Sequence, residues 1–380
     1  MPNLSRRFVL SASLCLAGGA AKAAGKPPSP LVIGATLPLS GALSLVGDEC
    51  RRGIQLAVDV LDAAGGIGGK PATIATADAI GQSHAAIAVN GLISQDHANV
   101  VLSGGTSALS YPGSAAAELA QIPFIELDAP ADGITARGFK FLLRTGPTTT
   151  MIGNLAVSSI QKRFAGRKIG LLFNTGATGG AVAAAAIAAF AAAKMPVLLA
   201  IGYPEDVVDL HEPVGRLKRA GAQIVLHAAG PGDVLAFYAA MQEQGWRPQA
   251  VLGCAEGYLL RETAYALGAA FNETLVIGAP YYPPQAAAIA AAYLARYGIP
   301  PRSPDSLTAF TGAKLVFDTL NAVKGDPTKL LDAMRKTNIP AGGLSNGFGA
   351  AFDRTGQNTR SFVTLQRWHD QQLVPVDQGK

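Results

Sequence analysis

Residues 31–71 read LVIGATLPLSGALSLVGDECRRGIQLAVDVLDAAGGIGGKP. The order is a short apolar strand, a Pro38-Leu39-Ser40-Gly41 turn, a polar loop ending at Gly47, a long helix, and a stop at Gly65, Gly66, Gly68 and Gly69. Within the helix, Ile54, Ala57, Val58 and Leu61 fall at i, i+3, i+4 and i+7, which is one buried stripe at helical period. The stretch is therefore a βα unit whose loop leaves the carboxyl end of its strand. Open α/β sheets bind ligands in that crevice. Ser40, Gly41 and the loop 42–46 are accordingly expected where a small molecule is met, with Leu43 and Leu45 as an apolar wall.

The alternation continues along the chain. Strand-like runs occur at 98–102, 122–127, 168–173, 197–201, 223–227, 250–253 and 275–278. Helix-like segments lie at 84–93, 114–120, 180–193, 214–220, 233–244, 258–267 and 286–297. This pattern predicts an α/β protein with two parallel sheets flanked by helices. A chain of 380 residues exceeds one comfortable core, so two domains are expected.

Residues 1–23 carry Arg6-Arg7 directly before an apolar run and end in Ala21-Lys22-Ala23, a small-residue cleavage pattern. Paired arginines in that place read as a twin-arginine export signal. The alternative is the positive region of an ordinary Sec signal, and both routes export the protein. Leu14 before Cys15 is too bulky for lipoprotein processing, so a soluble mature chain beginning near Ala24 and resident in the periplasm is expected.

Of the 31 basic residues three stand in that leader, leaving 28 against 26 acidic ones. The sequence pI of 9.1 then has no Lys/Arg cluster with interleaved aromatics behind it, and no nucleic-acid partner is expected. Catalytic motifs fail on inspection. Gly65-Gly-Ile-Gly-Gly-Lys70 has Pro71 where a phosphate loop needs Ser or Thr, and a helix precedes it. Gly105-Thr-Ser107-Ala-Leu109 lacks the last glycine of a nucleophile elbow, and the segment 176–180 misses G-x-G-x-x-G. The five histidines, at 84, 97, 211, 227 and 369, show no metal-ligand spacing. No enzymatic activity, cofactor or metal is expected.

The succession strand, PLSG, loop, helix with LAVD, then AAGGIGG resembles the type I periplasmic solute-binding proteins, in the branched-chain amino acid binding branch that feeds ABC importers. The likeness runs through nearly the whole mature chain. It implies two doubly wound parallel-sheet lobes joined by a three-stranded hinge, with crossings near Gly146-Pro147, 279–284 and Gly356. The lobes would then comprise 31–146 plus 281–355 and 147–280 plus 356–380. It further implies a monomer that closes on a small solute and delivers it to a permease in the inner membrane. A periplasmic sensor coupled to a signalling partner is the alternative on the same fold. Cys50 and Cys254 would lie on opposite lobes as free thiols, since a bridge between them would obstruct opening. The disulfide of some relatives has no counterpart, its positions being Gly81 and Thr106 here.

Ser103-Gly-Gly-Thr106-Ser107 ends a strand and opens a helical segment, so backbone N–H groups and hydroxyls converge where an anion could be held. The resemblance gives Ser107 the grip on a ligand carboxylate, whereas a helix N-cap is the plain alternative. The loop Asp128-Ala129-Pro130 stands where amino acid binders offer a carbonyl and a Thr hydroxyl; the hydroxyl is missing and a carboxylate is added. On the second lobe Thr178 and Gly230 replace contacting tyrosines, and Glu256 matches an acid that pairs with the ligand ammonium. Val46 replaces a bulky aromatic of the first loop. Tyr111, Tyr258, Tyr281 and Tyr282 are candidate substitutes for the missing aromatics.

Overall fold

The computed structural model describes residues 31–69, 71–205 and 207–376. The leader, including Arg6, Arg7 and Cys15, lies outside them.

In the first lobe β1 (Val32–Leu37), α1 (Ser44–Ala63), β2 (Thr73–Asp78), α2 (Gln82–Ser94), β3 (Val100–Ser103), α3 (Ser107–Ala120), β4 (Phe124–Glu126), α4 (Gly133–Ala136) and β5 (Leu142–Arg144) follow one another. The strands form one sheet in the order β2-β1-β3-β4-β5, all parallel. The second lobe runs α5 (Thr149–Arg163), β6 (Ile169–Asn174), α6 (Ala177–Ala192), β7 (Val197–Tyr203), α7 (His211–Ala220), β8 (Ile224–Ala228), α8 (Pro231–Glu243), β9 (Ala250–Cys254), α9 (Arg261–Leu267) and β10 (Leu275–Gly278). After it α10 (Ala287–Tyr297), α11 (Asp305–Ala322) and α12 (Leu330–Arg335) return to the first sheet, where Phe310, Phe317 and Leu320 share a core with Ile33, Leu37 and Ile54. Finally β11 (Thr364–His369) and β12 (Gln372–Pro375) join the second sheet, ordered β12-β11-β10-β9-β8-β6-β7. These last two pair antiparallel, so the second sheet is mixed rather than wholly parallel.

Strand-end loops of both sheets line the region between the lobes, and side-chain amides clasp the segments that run between them. Asn358 Nδ2 donates to the Thr145 carbonyl at 3.1 Å and Gln357 Nε2 to the Gly146 carbonyl at 3.0 Å. Gln366 takes the N–H of Tyr281 at 2.9 Å and donates to the Ala279 carbonyl at 3.0 Å. Each amide satisfies backbone groups that no ladder reaches.

Two sequence readings are corrected. Helix α1 begins at Ser44, so Leu45, Val46 and Gly47 are helical rather than part of a loop, and Val46 is buried in the first turn. Helix α3 begins at Ser107 and carries Pro112 inside it, seven residues earlier than the apolar pattern from Ser114 implied. Cys50 and Cys254 are both buried and free.

Among the described residues the most extensive helix packing is α1 on α11. A β-carbon on Gly53 would fall on the Ser306 carbonyl oxygen, which an adjoining helix backbone cannot yield. That glycine lets α11 bring its N-terminus against α1. Gly53→Ala is therefore expected to destabilise the protein by about 1–3 kcal/mol through overpacking. Gly91→Ala in α2, where a β-carbon meets nothing within 4 Å, is expected to be neutral or stabilising by up to about 1 kcal/mol. Thermal denaturation of the two variants checks the contrast.

Candidate functional site

Between the lobes lies a cavity of about 50 Å³. The first lobe lines it with Gly105 after β3, with Asp128, Ala129 and Pro130 after β4, and with Asp305 and Thr308 of α11. The second lobe contributes Thr178 of α6, Ala255 and Glu256 after β9, and apolar wall from Ile152, Leu259 and Ile277. Three carboxyl groups thus face one small space. No Lys, Arg or His stands among its described lining residues.

The loop after β3 is tied to its neighbours by several bonds. Gly105, at a φ of +96° that favours glycine, donates its N–H to Asp128 Oδ1 at 2.6 Å. Thr106 caps α3, its hydroxyl accepting from the Ala108 N–H at 3.4 Å. The Ser107 N–H donates to Thr178 Oγ1 at 3.2 Å, and the Thr106 and Thr178 hydroxyls stand 3.3 Å apart. Ser107 Oγ accepts from the Ala131 N–H at 3.2 Å, tying this loop to the next. So Thr178 reaches Thr106 and Ser107 directly from the opposite lobe.

Asp128 is held on both oxygens, Oδ2 accepting from the Cys50 thiol at 2.9 Å. The loop behind it is set by Glu126 and Arg144. Buried Glu126 accepts from the N–H groups of Asp128 at 3.1 Å and Ala129 at 2.9 Å, and from the Ser110 hydroxyl. The Ala129 carbonyl accepts from Arg144 Nη1 at 3.1 Å.

Of the residues named from sequence, Asp128, Ala129, Thr178 and Glu256 line the cavity, and Thr106 and Ser107 border it through Thr178. Val46 and Gly230 do not line it: Val46 is core, and Gly230 caps α8, with its N–H bonded to Asp233 at 3.1 Å. Nor do the four tyrosines. Tyr258 is buried with its hydroxyl 2.7 Å from His227 Nδ1, Tyr282 meets Ser306 at 3.0 Å, Tyr281 donates to the Pro301 carbonyl at 2.9 Å, and Tyr111 packs beneath the Arg137 guanidinium. Sequence reasoning missed Asp305. It sits at the first turn of α11, is 9 % exposed, and accepts from the Ser303 hydroxyl at 2.8 Å. The only signal was Ser303-Pro-Asp305, a helix-start pattern with no mark of function.

Burial governs the charge of this cluster. Desolvation pushes Glu256 up to about 7, with the negative charges of Asp305 and Glu205 adding to it and the Thr178 hydroxyl opposing. Desolvation likewise raises Asp305 to about 6, with Ser303 opposing and Glu49 adding. Asp128 rises well above the usual carboxylate range, again chiefly by desolvation, then by Asp305 and Glu126.

The profile described as periplasmic binding protein matches residues 30–372. The chain belongs to the periplasmic binding protein family. It is 34 % identical over 360 residues to the Leu/Ile/Val-binding protein homolog 8 of Brucella abortus (strain 2308), covering 90 % of this chain and 89 % of that protein. It is 32 % identical over 385 residues to homolog 7 of Brucella suis biovar 1 (strain 1330), covering 97 % and 95 %. In fold it matches the branched-chain amino acid binding protein LivJ of Streptococcus pneumoniae, solved with isoleucine, at TM-score 0.80 and 20 % identity over 90 % of this chain and 97 % of that one. A Rhodopseudomonas palustris solute-binding protein solved with benzoate matches at TM-score 0.78 and 21 % identity, covering 91 % and 95 %. The two-lobed fold is that of these proteins, and the family binds solutes.

A carboxyl raised in the folded state keeps its proton longer there than in the unfolded chain, so stability falls as pH rises from about 4.5 through about 7 and is level above. At ~1.4 kcal/mol per pKa unit, the cost at Glu256 is of the order of 3 kcal/mol. Glu256→Gln is expected to raise the melting temperature of the solute-free protein by a few degrees at pH 8 and to leave it unchanged near pH 4. Calorimetric melts at the two pH values check this.

Proposed function

We propose that this chain is the periplasmic solute receptor of an ABC-type importer, a monomer that captures a small polar solute, an amino acid or related compound, by hinge closure and presents the closed form to a membrane permease. The observation that carries the reading is the cavity between the lobes, walled by strand-end loops of both sheets and bridged by the hydrogen bonds of Thr178 to Thr106 and Ser107. We assign the lobes to 31–146 plus 281–355 and 147–280 plus 356–380. The clasped crossings at Gly146, Ala279 and Gln357 are the hinge. Solute would tip the balance between open and closed forms by its contacts with both lobes, made only when they meet. The role is binding without chemical turnover. Relatives named for Leu, Ile and Val, and a fold neighbour holding benzoate, give the scale of the solute.

Export through the twin-arginine route is part of the same reading. Replacing Arg6 and Arg7 with Lys keeps the charge and removes the signature. The precursor is expected to accumulate inside the cell, and unchanged periplasmic yield would assign the leader to the Sec route.

Native mass spectrometry of gently purified protein identifies a retained solute. Adding that solute back is expected to shrink the radius of gyration in solution scattering and raise the melting temperature by mass action, with the solute recovered unaltered. Scattering profiles that coincide with and without saturating solute would overturn hinge closure.

A further inference from the structure

Resting on the receptor reading, we propose that the cleft selects a small organic cation, an amine, amidinium or guanidinium on a short apolar body, and needs no carboxylate on its solute. The chain's own Asp128 occupies the Gly105 N–H, a donor that an anionic group would use.

Four observations meet here. First, three N–H donors at the β3 end are bonded inside the protein: Gly105 N–H on Asp128, Ser107 N–H on Thr178, Ala108 N–H on Thr106. An anion entering this loop would have to displace a carboxylate already seated there. Second, Asp128 and Asp305 from the first lobe and Glu256 from the second line the same cavity. Third, their bonds are to neutral donors, namely a backbone N–H, a thiol and the hydroxyls of Ser303 and Thr178. The buried guanidinium closest to the loop by its bonds, Arg144, is turned to the carbonyls of Ala129 and Ala131 and to Gln357. A desolvated carboxylate without a cationic partner is costly, and a bound cation is the partner the lining lacks. Fourth, Ile152, Leu259, Ile277 and Val363 offer the rest of the solute apolar surface. The cavity of about 50 Å³ holds roughly three to five water-sized groups at about 10–15 Å³ each. That is the size of a branched alkylamine.

The test uses pairs matched in shape and opposite in charge, on the mature wild-type protein at pH 8: isobutylamine against isobutyrate, acetamidinium against acetate, with valine as the zwitterion. Titration calorimetry and thermal shift are expected to show each cation binding at least tenfold tighter than its anion, and valine no tighter than isobutylamine. Asp305→Asn, which preserves shape and the Ser303 contact, is expected to weaken isobutylamine at least tenfold. The proposal is overturned if an anion equals or exceeds its matched cation, if valine binds more than tenfold tighter than isobutylamine, if neither cation binds saturably, or if a folded Asp305→Asn binds isobutylamine unchanged. Native mass spectrometry separates this from the receptor reading. A retained anionic solute that closes the lobes overturns the charge preference and leaves the receptor standing, whereas a protein that closes on no solute overturns the receptor itself.

Discussion

The buried guanidinium of Arg144 joins the returning chain at Gln357 to the loop after β4. At the end of β5 it donates from Nε to Gln357 at 2.5 Å and from Nη1 to the carbonyls of Ala129 at 3.1 Å and Ala131 at 2.7 Å. Its backbone bonds the returning chain as well, N–H to the Gly356 carbonyl at 2.8 Å and carbonyl to the Asn358 N–H at 2.9 Å. Desolvation lowers it to about 10, which leaves it charged at neutral pH, and the negative charge of buried Glu126 opposes that shift most. Glu126 in turn holds the N–H groups of Asp128 and Ala129. Arg144 therefore fixes the loop after β4 against the returning chain at Gln357, and Glu126 sets where that loop places the Asp128 carboxyl.

The meeting of the lobes is a contest between two sets of contacts. Outside the cavity, Arg302 of the first lobe reaches Glu262 of α9 at 2.8 Å, and the Arg261 N–H donates to the Arg302 carbonyl at 2.9 Å. Inside, Thr178 bonds the loop of Thr106 and Ser107. Against these stands the repulsion of Glu256 by Asp305, brought together from different lobes. Like charges approaching in a low-dielectric space repel far more than in water, so the same carboxyls that await a partner also favour separation until it arrives.

Much of this was legible in the letters. The βα unit at 31–71 showed its strand and its helical stripe because α1 has one face in the core and one in solvent. Most of the strand and helix runs read from the sequence fell within a few residues of their true bounds, the buried strands as short continuous apolar runs. Helix α11 was invisible since it is buried on nearly all sides and carries Ser, Thr and Gly in the core, which leaves no stripe. Pro112 hid the start of α3, because proline inside a helix removes a backbone bond and reads as a boundary. The antiparallel pair β11–β12 lacked the strong turn dipeptide that marks a hairpin. Asp128 and Glu256 could be placed because each stands two residues after a strand, and Thr178 through the family resemblance. Asp305 could not, since it reaches the cavity only through the packing of a helix that returns from the other lobe, against Gly53.

The seat of Asp128 has a consequence for the shape of the empty receptor. A loop built to hold a ligand anion leaves its N–H groups bare, or wet, whenever the ligand is gone, and must be ordered again at each encounter. Here a side chain permanently imitates that ligand, so the β3 and β4 loops are locked by Gly105, Cys50 and Asp128 before anything enters. Preorganisation of this kind lowers the entropic cost of association. On the cation reading proposed above, the same carboxylate would supply both the rigidity of these loops and the selectivity of the cleft.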